Sequence, residues 1–233
     1  MMLAGLMDWH QFAVHDFKDL PPDLPADCFV QLHWHPEPAF MAWLKGNRFR
    51  VLTIARHPLD VLLSAVTFAQ RDASVLNWLG GRTGLPIDMS ARGPADPAFR
   101  RYCLSAGAAE LLSVSDQWLS VPNLLRLKYE AVVDNPHAAL GPIIAALGGD
   151  PARLDTWLEN VSLTYMRSTP TQHGWRGKPG HWTELIASTD AVRIYWRHRS
   201  VFQRLGYGLN PTYLSRRRAE ANWHALAPAA AAA

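Results

Sequence analysis

Cysteine is scarce in this sequence. Two in 233 residues, Cys28 and Cys103, make neither a disulfide framework nor a metal-ligand pair, and a reducing cytoplasm is the default compartment. No stretch approaches 18 consecutive apolar residues, so no membrane span is expected. The opening MMLAGLM lacks a basic flank and a clear cleavage site and is not expected to be a signal peptide. A strong charge of one sign is also missing: 23 Lys and Arg against 20 Asp and Glu leave a net charge of +3. That balance fits a small anionic ligand as well as nucleic acid. The one basic run, Arg216-Arg217-Arg218, is short and reads as the solvated face of a terminal helix, so a nucleic-acid partner is not expected. No internal repeat occurs, and the only low-complexity segment is the closing ALAPAAAAA.

Apolar residues are plentiful. They make up 48% of the chain against 18% charged, enough for a real core and too many for a disordered chain. The length suits one domain over residues 1–210, followed by a terminal helix and Ala-rich tail over 211–233. The ten tryptophans read mainly as packing residues. LPPDLPAD (20–27) is a connector, and GGRTGLPIDMSARGPADP (80–97) is a loop of a length that often carries function.

Three short apolar runs read as strands: 28–33 (CFVQLH), 50–55 (RVLTIA) and 123–128 (NLLRLK). Helical patterns cover 37–45, 58–70, 97–119, 136–147, 152–160 and 184–204, with Gly148-Gly149 and Gly206 at expected helix stops. Strands alternating with helices predict an α/β fold with a mostly parallel sheet flanked by helices. In such sheets ligands gather outside the carboxyl ends of the strands. His33, Arg56 and Tyr129 stand at those three strand ends.

The segment VLTIARHPLDVLLSA (51–65) passes from strand to helix across Arg56-His57-Pro58. Pro58 suits a first helical position, and the open N–H groups of a helix start attract anions. A guanidinium there is shaped for phosphate, with Ser64 two turns on. The alternative is that Arg56 pairs with Asp60 and Ser64 only sits in the helix.

IARHPLDVLLSA resembles the 3′-phosphate-binding segment of sulfotransferases that use 3′-phosphoadenosine 5′-phosphosulfate (PAPS), in which an arginine and a serine eight residues later hold the 3′-phosphate. Arg56 and Ser64 match in type and spacing. LLRLKYEAVVDNP (124–136) looks like the family's strand and Tyr-Glu turn, which implies that Tyr129 flanks the adenine. SLTYM (162–166) is similar to the segment covering the adenine, with Leu163 where the family often has phenylalanine. WRGKPGHWTELI (175–186) resembles the closing phosphate loop, with Gly177, Gly180 and Trp182 in place. Trp175, Arg176 and His181 depart from its usual arginine, lysine and aspartate, and the resemblance carries phosphate binding to Arg176 and Gly177. VFQRLGY (201–207) looks like the family's terminal helix. The matches run over about residues 28–207.

The resemblance implies a P-loop-like fold, PAPS as co-substrate, no metal, and a small-molecule or carbohydrate acceptor. His33 takes the place of the family's general base, with Gln31 where lysine often sits and His35 on the same face if the strand continued. The base should accept a hydroxyl proton near neutral pH. Nothing in the chain looks like the family's 5′-phosphosulfate loop. MMLAGLMDWHQFAVHDF instead resembles the second half of the helix that follows it. The first strand and its loop are therefore expected to lie upstream of Met1 in a longer natural protein, so that their absence here leaves two strand edges facing a gap. The chain is accordingly expected to be weak or inactive as a transferase. Two alternatives stand beside this reading: a non-catalytic binder of 3′-phosphoadenosine nucleotides, and a kinase on the same sheet, which the absent Gly-x-x-x-x-Gly-Lys-Ser/Thr loop disfavours.

Overall fold

The computed structural model describes residues 2–14, 16–33, 35–69, 83–86, 93–160, 178–210 and 212–226. Among them the chain is α/β, mostly helical, with two small parallel sheets. The first elements are α1 (Met2–Met7), β1 (His10–Ala13), β2 (Cys28–Gln31), α2 (Pro38–Gly46), β3 (Leu52–Ala55) and α3 (Pro58–Ala69). Then follow α4 (Pro97–Cys103), α5 (Ala106–Leu119), β4 (Leu125–Lys128), α6 (Tyr129–Asp134), α7 (Pro136–Ala146) and α8 (Leu154–Asn160). The last are α9 (Trp182–Leu185), α10 (Ser188–Arg197), α11 (Arg199–Arg204) and α12 (Arg216–Leu226).

The fold divides into two compact units, Met1–Ala55 with Gln117–Gly177, and Arg56–Asp116 with Lys178–Ala233. The first holds all four strands. β1 and β2 pair in parallel from His10↔Cys28 to Ala13↔Gln31, and β3 and β4 from Leu52↔Leu125 to Ala55↔Lys128. The expected strands at 28–33, 50–55 and 123–128 are present, each shorter than the apolar run. Their parallel direction agrees with the sequence, but the described strands form two pairs and not one sheet.

β1 was not foreseen, because residues 1–17 read as continuing helix. Asp8 ends α1 in the left-handed region at φ +57, and the Trp9 N–H closes back on the Ala4 carbonyl at 2.9 Å. From there the chain extends along β2. Leu6, Leu127, Leu140, Ile143, Ile144 and Leu154 form the core of this unit, and Phe29 of β2, Leu52 of β3 and Leu125 of β4 pack against it. Both strand pairs thus bury residues in one apolar cluster. A second cluster joins Phe17 to Phe40 at 5.0 Å, Trp43 to Phe49 at 5.0 Å and Phe40 to Trp118 at 6.0 Å between ring centroids.

The second unit is built around α3, in which nine of twelve residues are buried. The 97–119 pattern breaks into α4 and α5, since Leu104 caps the first and the Ser105 hydroxyl accepts the Ala108 N–H at 3.3 Å to open the second. The 184–204 pattern likewise divides into α9, α10 and α11. Asp190 in the first turn of α10 accepts two hydrogen bonds from Arg216 of α12, at 2.9 and 2.8 Å, and one from Arg100 of α4 at 3.4 Å. Trp118, Trp182 and Trp223 are buried, as packing residues should be, whereas Trp196 is 61% exposed beneath the Arg199 guanidinium. Among the described residues no helix is long and apolar enough to cross a membrane.

Candidate functional site

Arg56 is the first residue past β3, and His57 caps the helix that follows. The Leu59 N–H donates to His57 Nδ1 at 3.3 Å, while the Asp60 and Val61 N–H groups donate to the His57 carbonyl at 2.9 and 3.1 Å. His57 Nε2–H donates to the Gly208 carbonyl at 3.2 Å, which fixes the neutral tautomer protonated on Nε2. The ring lies flat on Trp182, with Phe202 and Tyr207 edge-on at 5.5 and 5.3 Å. The helix start expected to bind an anion through its backbone has therefore already given these N–H groups to His57. Anion recognition here falls to side chains.

Over residues 55–69 the partly accessible positions are Arg56, Val61, Ser64 and Phe68, the rest being buried. Val61, Ser64 and Phe68 follow the i, i+3, i+7 rule and share one helix face. Arg56 and Ser64 are thus the partly accessible polar residues of this segment. Arg56, ahead of the helix, is half-buried, and the Nε of its guanidinium is shielded from solvent. Planar donors of this kind suit a phosphate, and the donor set fits one.

Sequence reasoning overlooked Asp60 except as a partner for Arg56. Its Oδ2 accepts the Gly180 N–H at 2.7 Å, and its Oδ1 accepts the Trp182 N–H at 3.0 Å. The available signal was an acid in the first helical turn, four residues before Ser64, together with a distant Gly-x-Trp turn. His181 is buried, with its Nδ1 3.8 Å from the Glu184 carboxylate.

In the first unit, His33 is exposed two residues beyond β2. His35 is buried and donates from Nδ1 to the Gln117 amide oxygen at 3.1 Å. The two histidines therefore do not share an environment, and the strand does not continue to join them. Tyr129, half-buried, opens α6 directly after β4. Leu163, Trp175, Arg176 and Gly177 lie outside the described residues, as do residues 80–82 and 87–92 of the 80–97 loop. No family model matches the chain, and a search of curated proteins returns no match.

Proposed function

We propose that this chain carries the 3′-phosphoadenosine half of a sulfotransferase site, with PAPS as the co-substrate. The reading rests on the 55–69 segment, where Arg56 and Ser64 are the partly accessible polar residues of a mostly buried stretch. On this reading Arg56 and Ser64 hold the ribose 3′-phosphate, and the resemblance alone assigns Arg176 and Gly177 to the same phosphate and Tyr129 to the adenine. The bound co-substrate supplies an activated sulfuryl group. His33 Nε2 or Nδ1 takes the proton of an acceptor hydroxyl or amine as that atom bonds to sulfur. The sulfur–oxygen bond to the 5′-phosphate breaks, and adenosine 3′,5′-bisphosphate leaves with the electron pair. The acceptor is a small molecule or carbohydrate, and the chemistry belongs to a P-loop-like fold in a cytoplasmic protein.

The two strand pairs also support this reading. A parallel sheet lacking an interior strand would leave two such pairs resting on one core. Without a 5′-phosphosulfate loop among its 233 residues, this chain would lack donors for the charge that develops on the leaving phosphate. Turnover by this chain should accordingly be slow. The same two-pair arrangement favours the second reading, a non-catalytic binder of 3′-phosphoadenosine nucleotides. Calorimetry with adenosine 3′,5′-bisphosphate and with ATP, paired with a PAPS turnover assay, tests both. Bisphosphate binding with slow, His33-dependent sulfation supports the transferase; bisphosphate binding without turnover supports the binder. Preference for ATP points to a kinase and rejects the proposal.

A further inference from the structure

Between Ala191 and Ala219 the sequence holds seven arginines and no aspartate or glutamate. Two of these are met by a carboxylate, Arg204 by Asp116 and Arg216 by Asp190. Among the described residues the other five make no ion pair. In α10, Asp190, Ala191 and Ile194 turn into the core, which leaves Thr189, Arg193 and Trp196 outward at i, i+4 and i+7. Arg197 and Arg199 are exposed beside them, the Arg199 guanidinium over the Trp196 ring at 5.1 Å. Trp196 is 61% exposed and Tyr213 84%, and no other tryptophan, tyrosine or phenylalanine of the described residues is as open. Tyr213 sits near the start of α10, where the Ser188 hydroxyl donates to the Thr212 carbonyl at 2.9 Å and accepts the Leu214 N–H at 2.7 Å.

We infer that α10 and the start of α11 form a docking surface for an anionic lipid membrane. Arg193, Arg197 and Arg199 meet lipid phosphates, whose geometry their planar forks match, and Trp196 sits at headgroup level. Two features choose this partner. The uncompensated positive charge calls for an anionic surface, and leaflets that carry anionic lipid attract basic segments. An exposed indole, apolar in body and polar at its N–H, belongs at the boundary between water and hydrocarbon. An acidic protein would use the guanidinium groups and leave that ring idle. Single-stranded nucleic acid is held by successive rings along a groove, and the outward face of α10 offers one ring on a convex surface. Attachment is peripheral, since among the described residues no helix is long and apolar enough to span a bilayer. The inference is independent of the assignment of Arg56 and Ser64.

The test is co-sedimentation of the full chain with phosphatidylcholine vesicles, with and without phosphatidylserine, at low and high salt. The variants are Arg193→Ser and Arg199→Ser on the surface, with Lys45→Ser, an exposed cation of α2, as the control. Arg197 is left in place because its Nε–H donates to the Leu104 carbonyl at 3.1 Å and so supports the end of α4. All three substituted side chains are exposed, so the fold should survive, and a denaturation curve checks each variant. The wild type should prefer the phosphatidylserine vesicles and lose that preference in high salt. Each arginine variant should weaken binding about fivefold, the worth of one basic residue at an anionic surface, and Lys45→Ser should not. A quencher carried on the lipid should dim part of the wild-type tryptophan fluorescence, and Trp196→Phe should remove that part. No preference for anionic vesicles overturns the inference, as does equal weakening by Lys45→Ser or quenching unchanged in Trp196→Phe. Tighter binding to a single-stranded oligonucleotide or to polyglutamate than to the vesicles overturns it too, in favour of that partner.

Discussion

The His57 imidazole lies on the Trp182 indole with planes 10° from parallel and centroids 4.9 Å apart. One ring thereby caps a helix through Nδ1, donates to Gly208 through Nε2 and packs an aromatic face. Replacing it with alanine removes the cap and the stack together, at a cost of about 2–3 kcal/mol. His57→Asn keeps a capping acceptor and should recover about 1 kcal/mol of that loss. Urea denaturation of both variants measures this, and equal stabilities would show that the side-chain cap contributes nothing.

His198 gives a pH signature. Burial holds its pKa below the ordinary histidine value, with Arg197 adding to this and the hydrogen bond to the Cys103 carbonyl at 2.7 Å opposing it. The unfolded chain therefore binds the proton more readily. The stability of the neutral, hydrogen-bonded ring is fully present above the unfolded pKa of 6.5 and is lost as pH falls toward the lower folded value. His198→Asn should cost about 1–3 kcal/mol at pH 8 and less at pH 5. A cost that grows on acidification contradicts the assignment.

The carboxylate of Asp190 behaves in a related way. Burial raises its pKa, but the hydrogen bonds and charges of Arg216 and then Arg100 outweigh this and lower it overall. Stability from this group is present above the unfolded value of 3.8 and disappears as pH falls through the folded one. Arg216 is half-exposed, so solvent screens its charge, and Arg216→Ala should cost about 1–2 kcal/mol at pH 7. Arg100→Ala should cost less, since Arg100 makes a single bond at 3.4 Å against the two shorter bonds of Arg216. Denaturation from pH 7 to pH 2 checks the order of the two variants and the narrowing of both costs in acid.

The neighbouring histidines should separate cleanly. His35 is buried and bonded to Gln117, so His35→Ala is expected to cost about 1–3 kcal/mol of stability. His33 is exposed, and His33→Ala should stay within about 0.5 kcal/mol of the wild type while abolishing any turnover that the proposed function predicts. Thermal denaturation and a PAPS turnover assay on the two variants measure both effects. A reversal of the two phenotypes would move the base to His35.

The strands at 28–31, 52–55 and 125–128 were legible because short β-branched and apolar runs bounded by turn residues have few other uses. β1 was not legible. HQFA carries little β-branched character, and its extension depends on the left-handed turn at Asp8 and on pairing with β2. The breaks between α4 and α5 and along α9, α10 and α11 were hidden for a related reason. A hydrophobic period survives an interruption of one or two residues, whereas helical geometry does not: the Ser105 hydroxyl accepts the Ala108 N–H to open a new helix, and His198 turns out of the helix at φ −115, ψ 24. At the candidate site, Arg56 and Ser64 were readable from type and spacing. Asp60 was not, since its partners are backbone N–H groups, which a sequence does not display.

The central claim is that Arg56 and Ser64 recognise a ribose 3′-phosphate. Calorimetric titration of Arg56→Ala and Ser64→Ala with adenosine 3′,5′-bisphosphate and with adenosine 5′-monophosphate tests it most directly. The account predicts a wild-type preference for the bisphosphate that drops about tenfold or more in each variant, with 5′-monophosphate affinity nearly unchanged. Equal affinity for the two nucleotides in the wild type, or a preference that survives both substitutions, would contradict it.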